Sequence, residues 1–276
     1  MVTPMTQGQE NAGKGRVKFK HPPINELVIG IYYVPVIELK AQHIGIYWDS
    51  IRQRYPNCEQ QPPIVIQVEG QPSALIPDVP GEIFPLPRFW FSSNAHSTLI
   101  QIQRNAFWLN WRRGPNDDYP HYEPVEKDFW REFDAYKDFI HGIGGTLDVV
   151  QRCELSYINL ISPNAFFSNP AELGRVLPPI AGLCDVQNEE RRLVGLNATA
   201  TYQLNDNLLV ESAARLGRRL DTRELVAVLE LKAQGAPKDL SLEGAHAWFK
   251  AAHDAVYTLF LSLTDKEVQN QVWEPL

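Results

Sequence analysis

Seven histidines are the residues best able to carry acid–base or metal chemistry: His21, His43, His96, His121, His141, His246 and His253. A metal pair on a helix uses positions i and i+3 or i+4, which set two imidazoles on adjacent turns. His246 and His253 fall two turns apart and read as a helix-surface pair. His121 stands beside Tyr119, Tyr122 and Glu123, a polar cluster with one imidazole and one carboxylate. A lone His serving as the base of a metal-independent nuclease would need a basic cleft, which the sequence does not supply. No G-x-S-x-G, H-E-x-x-H, P-loop or dinucleotide motif occurs. Gly13-Lys14-Gly15 lacks the strand and helix of a phosphate loop, and Asp117-Asp118 before Tyr119-Pro120 reads as turn chemistry. These residues imply no catalytic side chain, no metal and no cofactor.

Two acids, Glu26 and Glu154, interrupt runs that otherwise read as half-buried strands. Each is expected to be paired, with Arg104 or Arg152 as partners; a carboxyl of raised pKa is the other reading. The stretch from Leu99 to Arg113 is two alternating runs around Arg104-Asn105-Ala106, the pattern of a tight β-hairpin. Ile100, Ile102, Phe107, Leu109 and Trp111 share an apolar face. Gln101, Gln103, Trp108, Asn110 and Arg112 share the other, and moving the turn by one residue leaves both faces intact. A tryptophan among amides suits a binding surface as well as it suits a covered second layer. With Glu154 and Asn159 from the strand after the second long helix, these five residues form the candidate binding set.

The elements that must position them follow from periodicity. A strand is expected over Ile24 to Tyr33, and a helix over Val36 to Tyr55 with the stripe Ile37, Ala41, Ile44, Trp48, Ile51 and Tyr55. The Pro-rich stretch Gln60 to Pro87 predicts a long loop with a short strand at Ile64 to Val68, then a strand at Arg88 to Ser92. Val125, Phe129, Phe133, Tyr136 and Ile140 mark a second helix ended by Gly142. Strands are expected at Leu147 to Ile161, Leu193 to Leu204, Leu208 to Leu216 and Glu224 to Lys232. A last helix begins near Ser241, and Thr264 to Glu267 reads as a capping box for a short terminal one. The fold class is α+β: a largely antiparallel, curved sheet with a few long amphipathic helices packed on one side. Residues 1–20 read as a mobile polar tail and 21–276 as one domain. A division into two similar strand-plus-helix halves, 21–162 and 163–276, stays open.

Composition sets the remaining bounds. The 276 residues are 44% hydrophobic and 11% aromatic, enough for a sizeable core. A net charge of -7 argues against non-specific nucleic-acid binding. Cys58, Cys153 and Cys184 lie far apart and form no CxxC, which suits reduced thiols in the cytoplasm. No apolar run is long enough to span a bilayer.

Several spaced segments agree with one known pattern: Pro23 to Glu26, His43 to Trp48, Tyr55-Pro56, the hairpin from Leu99 to Trp111, Tyr119 to Tyr122, Cys153 to Asn159, Ala245 to Phe260, and Thr264 to Glu267 with Trp273. From about Pro22 onward the chain resembles a sporadically distributed prokaryotic family of unknown function. The resemblance carries no activity or cofactor; its patchy distribution associates it with mobile defence, immunity and toxin–antitoxin genes. The expected function is a non-catalytic protein-interaction module, an antitoxin-like, immunity or defence-associated regulatory subunit. Its partner would be another protein, encoded beside it, and homo-oligomerisation stays open. The alternative is a small-ligand binder with a cavity between sheet and helices. The nuclease is the third reading.

Overall fold

A computed structural model describes residues 16–64, 86–114, 118–185, 192–219 and 222–276. Strand-forming alternation dominates, and among the described residues it builds one open antiparallel sheet of nine strands. They are β1 (Ile24–Tyr33), β2 (Asn57–Gln61), β3 (Arg88–Ser92), β4 (Thr98–Gln103), β5 (Ala106–Arg112), β6 (Val150–Ile161), β7 (Leu196–Asn205), β8 (Leu208–Arg218) and β9 (Leu225–Gly235). Their order is β2-β3-β4-β5-β1-β6-β9-β8-β7, so β1 and β6 are central and β2 and β7 are the edges. Three helices pack on one face: α1 (Ala41–Ile51), α2 (Tyr122–Gly142) and α5 (Leu242–Leu263). The short α3 (Leu173–Val176) and α4 (Ala181–Cys184) lie between β6 and β7, and α6 (Lys266–Val268) follows α5.

The chain takes similar courses after β1 and after β6. β1 is followed by a helix and by a meander that ends in β5 beside it; β6 is followed by short helices and a meander that ends in β9 beside it. Each course closes with a long helix, α2 or α5.

The core lies between sheet and helices because each element turns one periodic stripe inward. Leu27, Ile29, Ile31 and Tyr33 of β1 meet Phe129, Phe133, Tyr136 and Ile140 of α2 and Ala245, Phe249 and Ala252 of α5. Phe107 of β5 sits at ring distances of 5.3–5.9 Å from Phe129, Phe133 and Tyr136. Each such ring contributes roughly 1.5–3 kcal/mol through burial. Glu132 enters the same layer fully buried, its carboxylate 2.9 Å from Arg54 and 2.9 Å from Arg131. Ser241 Oγ accepts from Gly244 N at 3.1 Å and starts α5, as its sequence position indicates.

Four expectations are corrected. α1 is shorter than Val36 to Tyr55, and its inward stripe is Ile44, Tyr47 and Ile51, continued by Tyr55 beyond its end. Ile37 is 56% exposed, Ala41 is exposed and Trp48 is half-buried, its Nε1 donating to Tyr55 O at 3.1 Å. The helix turns by one position because Tyr47 packs between Phe91, Tyr136 and Phe139. Gln60 and Gln61, expected to open the long loop, instead end a strand, Asn57–Gln61, while most of the strand expected at 64–68 lies outside the described residues. Asp265, not Thr264, caps α6, accepting from Glu267 N and Val268 N; Thr264 Oγ1 instead donates to Phe260 O. Of the tail, residues 1–15 lie outside the described residues, but Arg16–Lys20 is docked: Phe19 is buried against Phe260 and Trp273 and bridges Pro275.

Candidate functional site

The hairpin of β4 and β5 closes through the two-residue turn Arg104-Asn105, with Ala106 already paired to Gln103 rather than in the turn. Gln101 opposes Trp108, and Asn110 and Arg112 oppose Val28 and Glu26 of β1. Gln101, Gln103, Trp108, Asn110 and Arg112 therefore share the face turned away from the helices, as their alternation requires. Glu154 joins them because Gly30 is paired to both Trp108 and Glu154.

This face is consumed by its own bonding. Gln101 Nε2 donates to Asn110 Oδ1 at 2.7 Å, and its Oε1 accepts from Trp90 Nε1 at 2.8 Å and from Arg88. Asn110 Nδ2 and Arg112 Nε both donate to Glu26 Oε1, at 2.6 and 2.9 Å. The Trp90 ring lies between the guanidiniums of Arg88 and Arg112, each 5.3 Å from its centroid. Gln103 exchanges two bonds with the backbone of Ile64, at 2.7 and 3.0 Å. Tyr32 OH donates to Glu154 Oε2 at 2.6 Å, with Lys232 Nζ 3.0 Å from the same oxygen. Burial, and then the nearby Glu154 charge, push the Tyr32 phenol well up. Gln101, Gln103, Trp108, Asn110 and Glu154 are all under 9% exposed.

Two sequence expectations are corrected here. Glu26 is paired with Arg112 and Glu154 with Lys232; Arg104 instead donates to Leu39 O, and Arg152 to Gln234. Asn159 does not join the set. It opposes Leu229 on the helix side of β6 and donates to Leu229 O at 3.0 Å.

On that helix side a pocket of about 120 Å³ opens, bounded by Arg16–Phe19, the start of β1, the loop into α2, β6 and α5. Its apolar wall includes Phe19, Leu231, Val256 and Phe260; Tyr119, Tyr122, Tyr157, Asn159 and His253 give it neutral polar groups, and Arg16, Lys18 and Glu123 line it as charged ones. The His253 ring stacks on Tyr122 with centroids 3.9 Å apart, and lies within 13° of the Tyr157 plane at 6.1 Å. Tyr119 OH reaches Tyr157 OH at 3.5 Å. Arg16 NH1 lies 3.1 Å from His253 Nδ1. A guanidinium only donates, so Nδ1 accepts and the ring proton belongs on Nε2.

Burial, and secondarily the Arg16 charge, lower the His253 pKa to about 4. Burial also pushes the Tyr119, Tyr122 and Tyr157 phenols up. At neutral pH His253 and these three phenols are uncharged, while Arg16, Lys18 and Glu123 of the same lining carry charge. The pocket therefore sets neutral hydrogen-bonding groups against an apolar wall. His246 lies on the helix surface as expected and stacks on Trp130 at 3.7 Å, whereas His253 is half-buried; both turn toward α2. Among the described residues no group of three His, Cys, Asp or Glu side chains is placed to hold a metal ion. No described helix is long and apolar enough to cross a membrane.

Sequence reasoning passed over Tyr157 and His253. The available signal for His253 was its spacing, four residues after Phe249 and three before Val256, which sets it on the inward stripe of α5. No protein-family model matches the chain, and no curated protein matches it.

Proposed function

We propose that this chain is a small-ligand-binding α+β protein whose ligand is an uncharged, ring-sized molecule held between the sheet and the helices. One observation carries the reading: the pocket of about 120 Å³ is apolar-walled, yet aromatic and amide groups converge on it. An engineered apolar cavity of about 150 Å³ takes up benzene, so a single ring is the scale of ligand that fits. The neutral state of His253 and of the three phenols favours an uncharged ring packed among them, with Arg16, Lys18 and Glu123 of the same lining carrying charge of both signs. An interaction module using the amide face of the hairpin is supported less, because that face is bonded internally.

Thermal denaturation with phenol, indole and benzoate as probes tests the reading. Phenol or indole should raise the melting temperature in a dose-dependent way, and benzoate should not. Val256→Phe, which fills the pocket from α5, should abolish the response while the circular dichroism spectrum is kept. A response to benzoate alone, or one that survives Val256→Phe, would overturn it.

A further inference from the structure

The two edges of the sheet are built differently. β2 is short, only five residues, and carries Glu59, both of which blunt an edge against pairing. β7 runs for ten residues, Leu196–Asn205, without one charged side chain, in a chain that is 21% charged. It also has no proline, and its pattern of exposure shows both of its faces open to solvent over most of its length. Among the described residues its only strand neighbour is β8. Tyr202 and Leu204 are 38% and 49% exposed, and Val194, just before the strand, is 89% exposed. Among the described residues no strand pairs with the outer side of β7, the row of N–H and C=O groups that natural sheets otherwise hide.

We infer that β7 is the dimerisation edge of this protein, pairing antiparallel with β7 of a second copy to continue the sheet across a two-fold axis. Symmetry supplies the matching strand: a copy brings an edge of identical length, also uncharged and also open on both faces. The absence of charge matters in a molecule of net charge -7, because the contact sets no like charges against each other. The alternation of β7 fixes the geometry further. Asn197, Thr199, Thr201 and Gln203 share one face, and Ala198, Ala200 and Tyr202 share the other. A two-fold axis normal to the sheet keeps faces matched only if it falls between a residue and its own copy, which near the strand centre is Ala200 or Thr201. Either choice keeps the Thr side chains on one surface and the Ala and Tyr side chains on the other.

Sedimentation of the full chain between about 1 and 200 µM reads the outcome, since a two-copy equilibrium must move with protomer concentration. The mass should double across the range, and amide exchange along β7 should slow at the high end. Thr201→Pro removes a backbone donor from the edge, and Thr199→Lys places a charge on it; each should give a monomer at every concentration. Thr199 is exposed, so Thr199→Lys keeps the fold and the test stands even if the proline variant misfolds. A wild-type chain that stays monomeric at the highest concentration overturns the proposal. A dimer that persists in folded Thr199→Lys and Thr201→Pro, or β7 amides that exchange equally fast in monomer and dimer, overturns it as well.

Discussion

The indole of Trp108 occupies the space beside Gly30 that a side chain would need: a Cβ added to Gly30 would overlap Trp108 Cδ1 and stand 2.7 Å from Nε1 and 3.1 Å from Cγ. Gly30 pairs with Trp108 on one side and with Glu154 on the other, so the missing side chain lets an indole fill the middle of a central strand. Gly30→Ala should therefore cost about 1–3 kcal/mol by overpacking, despite the better strand propensity of alanine. In urea denaturation the loss should shrink when Trp108→Ala is added, since the clash then has no partner. Additive losses would show that the backbone, not the indole, sets the need for glycine.

The internal bonding of the hairpin's outer face makes a second prediction. Gln101 is the acceptor for Trp90 and Arg88 and the donor to Asn110. Gln101→Leu leaves the Trp90 indole and the Asn110 carbonyl without that partner, at about 1–3 kcal/mol. Trp108→Ala empties a site that is 98% buried, at about 3–5 kcal/mol. Gln101→Ala with Trp108→Ala should accordingly lower the melting temperature by many degrees. A double variant that melts like the wild type would assign these residues to an external partner.

The alternation of the hairpin was legible because both faces repeat every two residues, and no choice of turn changes which residues share a face. The long helices and the strands from β6 to β9 were legible for the same reason: each shows one strong period. What the sequence did not reveal depends on contacts between distant segments. The stripe of α1 moved to Tyr47 because Phe91 and Tyr136 meet it there, and neither is near it in the chain. The partners of Glu26 and Glu154 are set by strand order, which no local pattern encodes. The pocket needs Tyr122, Tyr157 and His253 together, and these come from three elements that only the packed fold brings to one place.

Protonation of His253 should make stability fall in weakly acidic solution. Its folded pKa is about 4, below its ordinary value near 6.5, because burial and then Arg16 disfavour the cation, with Glu123 and Asp254 opposing. Above the ordinary value the ring is neutral in both states and the full stability is present. As pH falls through the interval down to about 4, the unfolded chain takes up a proton that the folded chain does not, so stability is lost. Below that both states are protonated and the loss stops growing. The melting temperature of the wild type should thus drop between these limits more steeply than that of His253→Phe, which keeps the aromatic stack on Tyr122. Parallel curves for the two proteins would count against a buried neutral imidazole.

The segment from Arg16 to His21 closes the pocket and should come loose before the rest of the protein. Phe19 is edge-on to Phe260 at 6.4 Å and to Trp273 at 6.0 Å. Backbone bonds flank it: Lys20 N donates to Glu274 O at 2.8 Å, His21 N to Trp273 O at 3.0 Å, and Leu276 N to Lys18 O at 2.7 Å. None of these bonds belongs to the sheet or to a long helix, so the segment can open as a local unit at less than the global cost. Phe19→Ala removes the ring that holds it. Amide exchange at Lys20, His21 and Leu276 should then rise about tenfold or more, the equivalent of at least about 1.4 kcal/mol, while amides in β1 and β6 keep their protection. Because Phe19 is also a wall of the pocket, the thermal response to phenol or indole should fall in the same variant. Exchange that accelerates across β1 and β6 as well would show that the segment unfolds only with the whole molecule.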